Sequence, residues 1–301
     1  MPAPSRRQVL TYAFAAAVLP AAAKPPLRPD ALALAPGIQL YSVEVELRRD
    51  FQGTLKLLAA MGYRDVELTE FFDRKPADLK KSLKDAGLVA RSAHYSVPTL
   101  QYDFDKAVGE AQELGLEQMI CATPRIPGNG CPTLEAWKWN AGFLNTIGFL
   151  VNKTGMKFGY HNHAVEFMRY GGTPGERGAE GGARTAYDEL IARTDPRLVT
   201  LQLDCGWAAA AGVAPATLLT QHTGRISSLH VKDLRKGFKA NLAGGIETTA
   251  IGQGMLDWRA ILGAAKTAGV ARTYVELEPQ KDPLEALELS TAERFQASVA
   301  E

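Results

Sequence analysis

Eight apolar runs of strand length alternate with eight amphipathic stretches along this chain of 301 residues. The predicted strands cover residues 37–43, 65–70, 89–95, 118–122, 157–163, 199–204, 226–231 and 272–277. The predicted helices cover residues 50–61, 76–86, 103–114, 133–154, 185–192, 215–222, 255–268 and 283–295. A helix after each strand returns the chain to begin the next strand in the same direction, so this alternation predicts a parallel sheet.

Such a sheet can close into a barrel or stay open. An open doubly wound sheet usually has a glycine-rich phosphate loop after its first strand, whereas IQLYSVEVEL, which begins at Ile38, has no glycine there. The length fits one barrel of roughly 250 residues plus extensions. We therefore predict an α/β fold, a (β/α)8 TIM barrel formed as a single domain by residues 37–301. The stretch 171–184, which is rich in glycine and lacks apolar periodicity, is predicted to be a loop.

The first 36 residues differ from the rest in composition. Arg6 and Arg7 precede an apolar run, residues 9–23, that ends in three alanines, which is the pattern of a twin-arginine export signal with its cleavage site. The run is shorter than the ~20 residues of a spanning helix. We expect residues 1–23 to be an export signal, residues 24–36 a linker, and the mature protein periplasmic without a stable membrane anchor. An uncleaved apolar anchor is the alternative.

The charge balance bears on the class of partner. The 34 Lys and Arg residues nearly equal the 33 Asp and Glu residues, and the net charge is +1. Proteins that bind nucleic acid or anionic membranes usually carry a basic surface, so we expect a small-molecule partner and no nucleic acid. The cysteines, Cys121, Cys131 and Cys205, lack CxxC spacing, which argues against a disulfide framework and a cysteine zinc site. The sequence leaves open whether the protein forms a homo-oligomer.

Five apolar runs end in side chains that can bind a metal ion. They are RSAHYS with His94, FGYHNHAVEF with His161, His163 and Glu166, LQLDCGW with Asp204, SSLHVKD with His230, and YVELE with Glu276 and Glu278. The carboxyl ends of all strands of a parallel barrel meet at one mouth, where such barrels carry their active sites. We therefore expect these side chains to share one pocket.

Asp204, His230 and Glu276 are the first predicted metal ligands. A carboxylate at the end of an apolar strand costs free energy unless it is paired or binds a cation. A helix cap or a buried salt bridge is the alternative for Asp204, and a hydrogen-bonded core histidine is the alternative for His230. Mixed imidazole and carboxylate ligands suit Mn, Mg, Co or Zn, and several carboxylates favour Mn or Mg.

His161 and Glu166 are further candidate ligands and, with Glu276, candidate catalytic residues. Because side chains alternate along a strand, His161 and His163 share one face. One of them can bind the ion while the other binds a substrate hydroxyl or transfers a proton. Glu166 lies beyond the strand end, and a surface carboxylate is its alternative interpretation.

Five residues are predicted to contact the substrate: His94, His163, Lys232, Trp207 and Tyr41. Trp207 follows Asp204 closely, so its ring can stack on a sugar at the mouth. Lys232 and Asp233 follow His230 and are candidates to bind substrate oxygens, with a plain ion pair as the alternative. For the tyrosine, core packing is the alternative.

From residue 37 to its end, the chain resembles the xylose isomerase-like TIM-barrel superfamily, which includes sugar phosphate isomerases and epimerases and inosose dehydratases. The strings GYHNHAVEF, LDCGW, LHVKD, GQGMLDW and YVELE carry the resemblance. It implies a divalent ion held by Glu, Asp, His and Glu from four strands, and Asp204, His230 and Glu276 match three of these positions. His161 stands where many epimerases have Glu, so either His161 replaces that ligand or Glu166 supplies it.

The resemblance implies an enzyme. The expected activity is that of a divalent-metal-dependent sugar isomerase or epimerase that acts through an enediolate of a carbonyl sugar or cyclitol. A lyase that expels a β substituent from the same intermediate is the alternative, since it needs only one strong base. A non-catalytic sugar-binding barrel is the alternative from another class. Related endonuclease barrels bind three zinc ions and DNA, which would call for more histidines and a basic face.

Overall fold

The computed structural model describes residues 37–126, 133–170, 184–242, 245–279 and 282–290. The predicted export signal, residues 1–23, and the predicted linker, residues 24–36, lie outside the described residues. The same is true of Cys131 and of residues 171–183, nearly all of the predicted glycine-rich loop.

Eight parallel strands form a closed barrel. They are β1 Gly37–Gln39, β2 Asp65–Leu68, β3 Val89–Tyr95, β4 Gln118–Cys121, β5 Lys157–His161, β6 Thr200–Asp204, β7 Ile226–Val231 and β8 Arg272–Val275. Each strand pairs with its neighbours in sequence, and β1 pairs with β8 through Gly37 opposite Tyr274. The predicted (β/α)8 TIM barrel is therefore confirmed.

Helices surround the barrel. They are α1 Glu44–Arg49, α2 Phe51–Ala60, α3 Pro76–Asp85, α4 Val97–Tyr102, α5 Phe104–Leu114, α6 Leu134–Asn152, α7 Ala186–Arg193, α8 Cys205–Ala210, α9 Pro215–Gln221, α10 Trp258–Ala268 and α11 Pro283–Leu289. Local sequence explains their ends: Thr133 and Asp257 cap α6 and α10 by accepting backbone N–H groups, and α5 ends at Gly115, whose φ of 83° favours glycine. Among the described residues, no helix combines the length and apolar character needed to cross a membrane.

Short helices at the mouth of the barrel were not predicted. Helices α1, α4 and α8 lie in the connections after β1, β3 and β6. Strand β1 stops at Gln39 because the next four residues form a 3-10 turn, in which the Gln39 side chain accepts the backbone N–H of Tyr41. Helix α4 is capped by Ser96 and has a proline in its first turn, which fixes a helical φ. These turns redirect the chain across the mouth.

The barrel interior is polar at this end. Along β2, Val66 and Leu68 belong to the apolar core, whereas Glu67 between them bonds to Gln39 on the adjacent strand β1 and, across the barrel, to Gln202 on β6. This alternation is that of a strand buried on both faces. The fold thus places polar side chains from several strands in a buried volume at the carboxyl ends.

Candidate metal centre and active site

Four predicted site residues converge at the mouth. One ligand atom from each of His161, Asp204, His230 and Glu276 lies within 4.8 Å of the others. The first two end β5 and β6, His230 lies one residue before the end of β7, and Glu276 directly follows β8. All four side chains are buried. The fold therefore brings together two imidazoles and two carboxylates that are up to 115 residues apart in sequence (161 to 276).

His230 lies between carboxylates. Its Nδ1 closely contacts Glu276 Oε2 and lies 3.8 Å from Asp204 Oδ2, while its Nε2 lies 2.6 Å from Glu67 Oε1. Burial alone would lower the pKa of His230, but the charges of Glu276 and Glu67 raise this pKa to about 10. Burial alone would raise the pKa of Glu276, but Lys232 and His230 hold it well below its usual value. These groups compensate one another's charge.

Lys232 is a second buried cation in the same place. Its Nζ lies 3.0 Å from Asp204 Oδ2, 3.1 Å from Glu276 Oε2 and 2.8 Å from Glu278 Oε1. Burial alone would lower the pKa of Lys232, and the three carboxylates raise it above its usual value. Gly206 leaves room for the lysine stem, since a Cβ there would lie 2.7 Å from Lys232 Cγ. The predicted substrate contact is therefore also a structural ion-pair partner.

Asp204 shows that the group suits a divalent ion. Its Oδ1 accepts the backbone N–H of Trp207 at 2.7 Å and so caps α8. Its Oδ2 is buried and accepts no well-aligned hydrogen bond, although Lys232 Nζ is near. Burial raises the pKa of Asp204, as expected for a carboxylate that lacks solvent. An under-coordinated carboxylate oxygen among nitrogen and oxygen donors is what a bound divalent ion would use.

Glu166 lies outside this group. Its Oε1 accepts the Tyr160 hydroxyl at 2.5 Å, and its Oε2 accepts the backbone N–H of His163 at 2.8 Å. Both oxygens are thus engaged, one with β5 and the other with the segment that follows it. Burial raises the pKa of Glu166 to about 7. Of the two alternatives for the fourth position, the structure brings His161 to the other three residues and does not bring Glu166.

The predicted substrate contacts border the group. The His163 ring lies 4.9 Å from the His161 ring and 5.5 Å from the Trp207 ring, and the His94 ring stacks on His230 at 5.3 Å. His94, His163, Trp207 and Tyr41 are half-buried, as side chains at the rim of a pocket are. Burial lowers the pKa of His163 to about 4, so this imidazole is neutral near pH 7.

Asp233 holds a neighbouring loop in place. Its carboxylate accepts hydrogen bonds from the backbone N–H groups of Gly252, Gly254 and Leu256 and from Trp258 Nε1. A substrate role for Asp233 is therefore not supported, because its oxygens are occupied by the loop. Asp233 thus joins the string LHVKD to the loop GQGMLDW.

Three polar residues of the site were missed: Gln39, Glu67 and Gln202. All three are buried, and Glu67 accepts hydrogen bonds from both glutamines at 2.9 Å. A carboxylate flanked by Val66 and Leu68 is the same signal that singled out Asp204, so Glu67 could have been found. The glutamines carry no charge that would mark them in an apolar run.

Comparisons with known proteins agree with this fold. A family model for the xylose isomerase-like TIM barrel matches residues 55–298. An inosose dehydratase from Geobacillus thermodenitrificans is 25% identical over 262 residues, which cover 77% of this chain and 83% of the relative. One from Lacticaseibacillus casei is 25% identical over 265 residues, which cover 78% and 84%.

Solved structures show the same barrel. A sugar phosphate isomerase/epimerase from Parabacteroides distasonis superposes with a TM-score of 0.69 and 27% identity, covering 88% of this chain and 93% of that one. The IOLI protein, solved with a zinc atom, has a TM-score of 0.67 at 15% identity, covering 89% and 98%, and shares the fold. The prediction of an enzyme of the isomerase and epimerase type, with lyase chemistry open, is confirmed by these relatives. With the family model matching residues 55–298, the chain belongs to the xylose isomerase-like TIM barrel family.

Proposed function

We propose that this chain is a divalent-metal-dependent enzyme that removes a proton from the carbon next to a carbonyl group in a sugar or cyclitol. The convergence of His161, Asp204, His230 and Glu276 at the barrel mouth is the observation that carries the proposal. An ion held by these four residues would act as a Lewis acid on substrate oxygens. Two imidazoles among four donors suit Mn, Co or Zn better than Mg, which prefers oxygen ligands.

The chain's own residues supply the proton transfer and the charge stabilisation. In this proposal Glu276 accepts the proton from the carbon, and the electron pair of that C–H bond moves toward the carbonyl oxygen. The Lys232 ammonium lies 3.1 Å from Glu276 Oε2. In this proposal it stabilises the negative charge that develops on the carbonyl oxygen of the substrate. His163 is a neutral imidazole at the rim, so it can donate to or accept from a substrate hydroxyl.

Return of the proton to a carbon of the enediolate gives isomerase or epimerase chemistry. Elimination is the second candidate: the electron pair forms a C=C bond, and the β hydroxyl leaves with a proton as water. One observation favours elimination, namely the imidazole of His161 within the group where a two-carboxylate epimerase would need a second carboxylate. The relatives named inosose dehydratase also support it. If residues 1–23 direct export to the periplasm, an unphosphorylated substrate fits that compartment.

Solvent deuterium exchange tests the proposal. Purified protein with Mn²⁺ is incubated in deuterated water with keto sugars and with an inosose, and the recovered compounds are examined by NMR and mass spectrometry. Deuterium next to the carbonyl indicates proton abstraction, and loss of water indicates elimination. We expect Glu276→Gln to abolish both, whereas Glu285→Gln on α11 leaves both unchanged. A wild-type protein that neither exchanges deuterium with nor removes water from any of these substrates contradicts the proposal.

A further inference from the structure

Glu67 lies at the centre of the buried polar network. It is fully buried on β2, and its Oε1 accepts from Gln39 Nε2 while its Oε2 accepts from Gln202 Nε2, each at 2.9 Å. An amide NH₂ group can only donate a hydrogen bond. Both oxygens of Glu67 are therefore acceptors, which is the arrangement of an ionised carboxylate. The side chain of Gln39 is itself oriented by its Oε1, which accepts the backbone N–H of Tyr41.

This carboxylate fixes the orientation of the Gln202 amide. Gln202 Nε2 faces Glu67 Oε2 and lies 3.2 Å from Ser228 Oγ. Its carbonyl oxygen must then face the other way, where it lies 2.8 Å from His94 Nε2 and 3.1 Å from His161 Nδ1. A carbonyl oxygen only accepts, so both of these ring nitrogens carry a proton.

The same logic applies to His230. Its Nε2 lies 2.6 Å from Glu67 Oε1 and donates a hydrogen bond to that carboxylate, so it carries a proton. The remaining ring nitrogen, Nδ1, faces Glu276 and Asp204. In His161, protonation at Nδ1 leaves Nε2 with the lone pair of the neutral ring. Each histidine of the four-residue group thus has one nitrogen held by the network and one directed elsewhere.

We propose that Glu67 and Gln202 form a proton-ordering pair. They hold the protons on His161 Nδ1 and His230 Nε2, and so direct His161 Nε2 toward the ion, together with His230 Nδ1, whose proton the ion replaces. Both are positioning residues, since they act through the histidines and touch no reacting atom. The consequence for ion binding rests on the proposed metal-dependent function. The proton order itself does not, because it follows from hydrogen bonds within the chain.

Nitrogen-15 NMR of the full-length, metal-free protein tests the proton order directly. Long-range correlations in the imidazole rings show which nitrogen carries the proton. We expect protonated Nδ1 in His161, with its signals assigned by their loss in His161→Asn. In Gln202→Leu we expect a mixture of both protonation patterns at His161. His222, at the end of α9, is the internal reference whose signals stay unchanged.

A matched variant separates this role from the general cost of removing a buried amide. Gln118 is also buried in the barrel, where its Nε2 bonds to Thr200 and Ser227. Gln118→Leu is expected to leave the protonation of His161 unchanged. Titration with Co²⁺ or Mn²⁺ should show affinity about 10- to 100-fold weaker for Gln202→Leu than for wild type, and unchanged for Gln118→Leu.

The outcomes are separable. A wild-type His161 protonated at Nε2 overturns the proposal even if Gln202→Leu fails to fold. Equal ion affinity for wild type and a folded Gln202→Leu also overturns it. A wild type with the expected protonation that binds no divalent ion supports the proton order and contradicts the metal-dependent function instead.

Discussion

The Nζ atom of Lys232 lies 3.0 Å from Oδ2 of Asp204, and both side chains are buried. Glu276 and Glu278 approach the same ammonium at 3.1 and 2.8 Å. One lysine therefore contacts three carboxylates at the mouth of the barrel. A buried ion pair contributes little net stability when complete, but its loss leaves uncompensated charge in a low-dielectric environment.

Replacing Lys232 with Met should destabilise the protein strongly. The substitution keeps most of the side-chain volume and removes the charge, so we expect a loss of about 3–5 kcal/mol in the free energy of unfolding. Urea denaturation at pH 7 measures it. Lys81→Met is the control, because Lys81 is 74% exposed in its pair with Asp85 and should change stability by less than about 0.5 kcal/mol. Equal midpoints for both variants would contradict this account of Lys232.

Gly206→Ala should disturb the same lysine by crowding its aliphatic stem. A Cβ at this position would lie 2.7, 2.9 and 3.0 Å from Cγ, Cδ and Cβ of Lys232, which is too close. Overpacking of this kind typically costs about 1–3 kcal/mol. Denaturation of Gly206→Ala and Gly109→Ala provides the comparison. Gly109 lies within α5 and its added Cβ would meet no atom within 4 Å, so alanine there should stabilise by up to about 1 kcal/mol.

Asp233→Ala should release the loop that carries GQGMLDW. The carboxylate accepts three backbone N–H groups and the Trp258 indole, so its removal leaves several donors without their partner. Each hydrogen bond to a charged acceptor contributes about 1.5–3 kcal/mol. We expect faster proteolytic cleavage within residues 250–258 under native conditions. Asp85→Ala on the exposed side of α3 serves as control, and equal cleavage rates in the two variants would show that Asp233 does not hold the loop.

Glu166→Gln should change how stability depends on pH. The pKa of Glu166 is raised by burial from its ordinary 4.5 to about 7. Below pH 4.5 the carboxyl is protonated in both states. As the pH rises from 4.5 to 7, the unfolded chain releases the proton while the folded chain keeps it, so the folded state loses stability in this window. Above pH 7 the loss is complete.

Glutamine cannot ionise, so the stability of Glu166→Gln relative to wild type should rise as the pH increases from 4.5 to 7. Each pH unit between the unfolded pKa of 4.5 and the folded pKa of about 7 changes the relative free energy of unfolding by about 1.4 kcal/mol. The total gain of the variant over wild type is on the order of 3 kcal/mol. Urea denaturation at a series of pH values measures it. The same substitution at the exposed Glu135 controls for the loss of one negative charge. A constant difference between Glu166→Gln and wild type across the window would show that Glu166 does not titrate there.

The barrel was predictable because its strands and helices have local signals. Strands β3 and β7 were predicted to the residue from apolar runs, and helix ends such as Gly115 follow from backbone sterics. The short turns at the mouth were not predictable in this way. Residues 40–43 continue an apolar run, yet they form a 3-10 turn in which the Tyr41 N–H donates to the Gln39 side chain, and no local apolar pattern marks that turn.

The site was predictable where a charged group interrupts an apolar strand. Asp204, His230 and Glu276 met this criterion, and the structure brings them together with His161. The orientation of Glu166 was not predictable, because its carboxylate turns back to accept the Tyr160 hydroxyl, six residues earlier on β5, and no apolar periodicity encodes that turn. The role of Gln202 depends on its neighbour Glu67 across the barrel, 135 positions away in sequence, and no local pattern encodes such a pairing.

Asp204→Asn should remove ion binding while keeping the helix cap. Asparagine caps a helix as well as aspartate does, so the bond to the Trp207 N–H can persist. The substitution replaces Oδ2, which pairs with Lys232 but accepts no well-aligned hydrogen bond, with an amide nitrogen that cannot bind a cation. The wild-type protein should gain about 2.7 kcal/mol of stability when Mn²⁺ or Zn²⁺ is present at 100 times its dissociation constant. Thermal unfolding with added ion and with a chelator measures this gain.

Asp257→Asn is the matched control, since Asp257 caps α10 in the same way and is outside the four-residue group. A gain that persists in Asp204→Asn and equals that of Asp257→Asn would place the ion elsewhere, because both substitutions leave a capped helix and only one of them alters the proposed ligands.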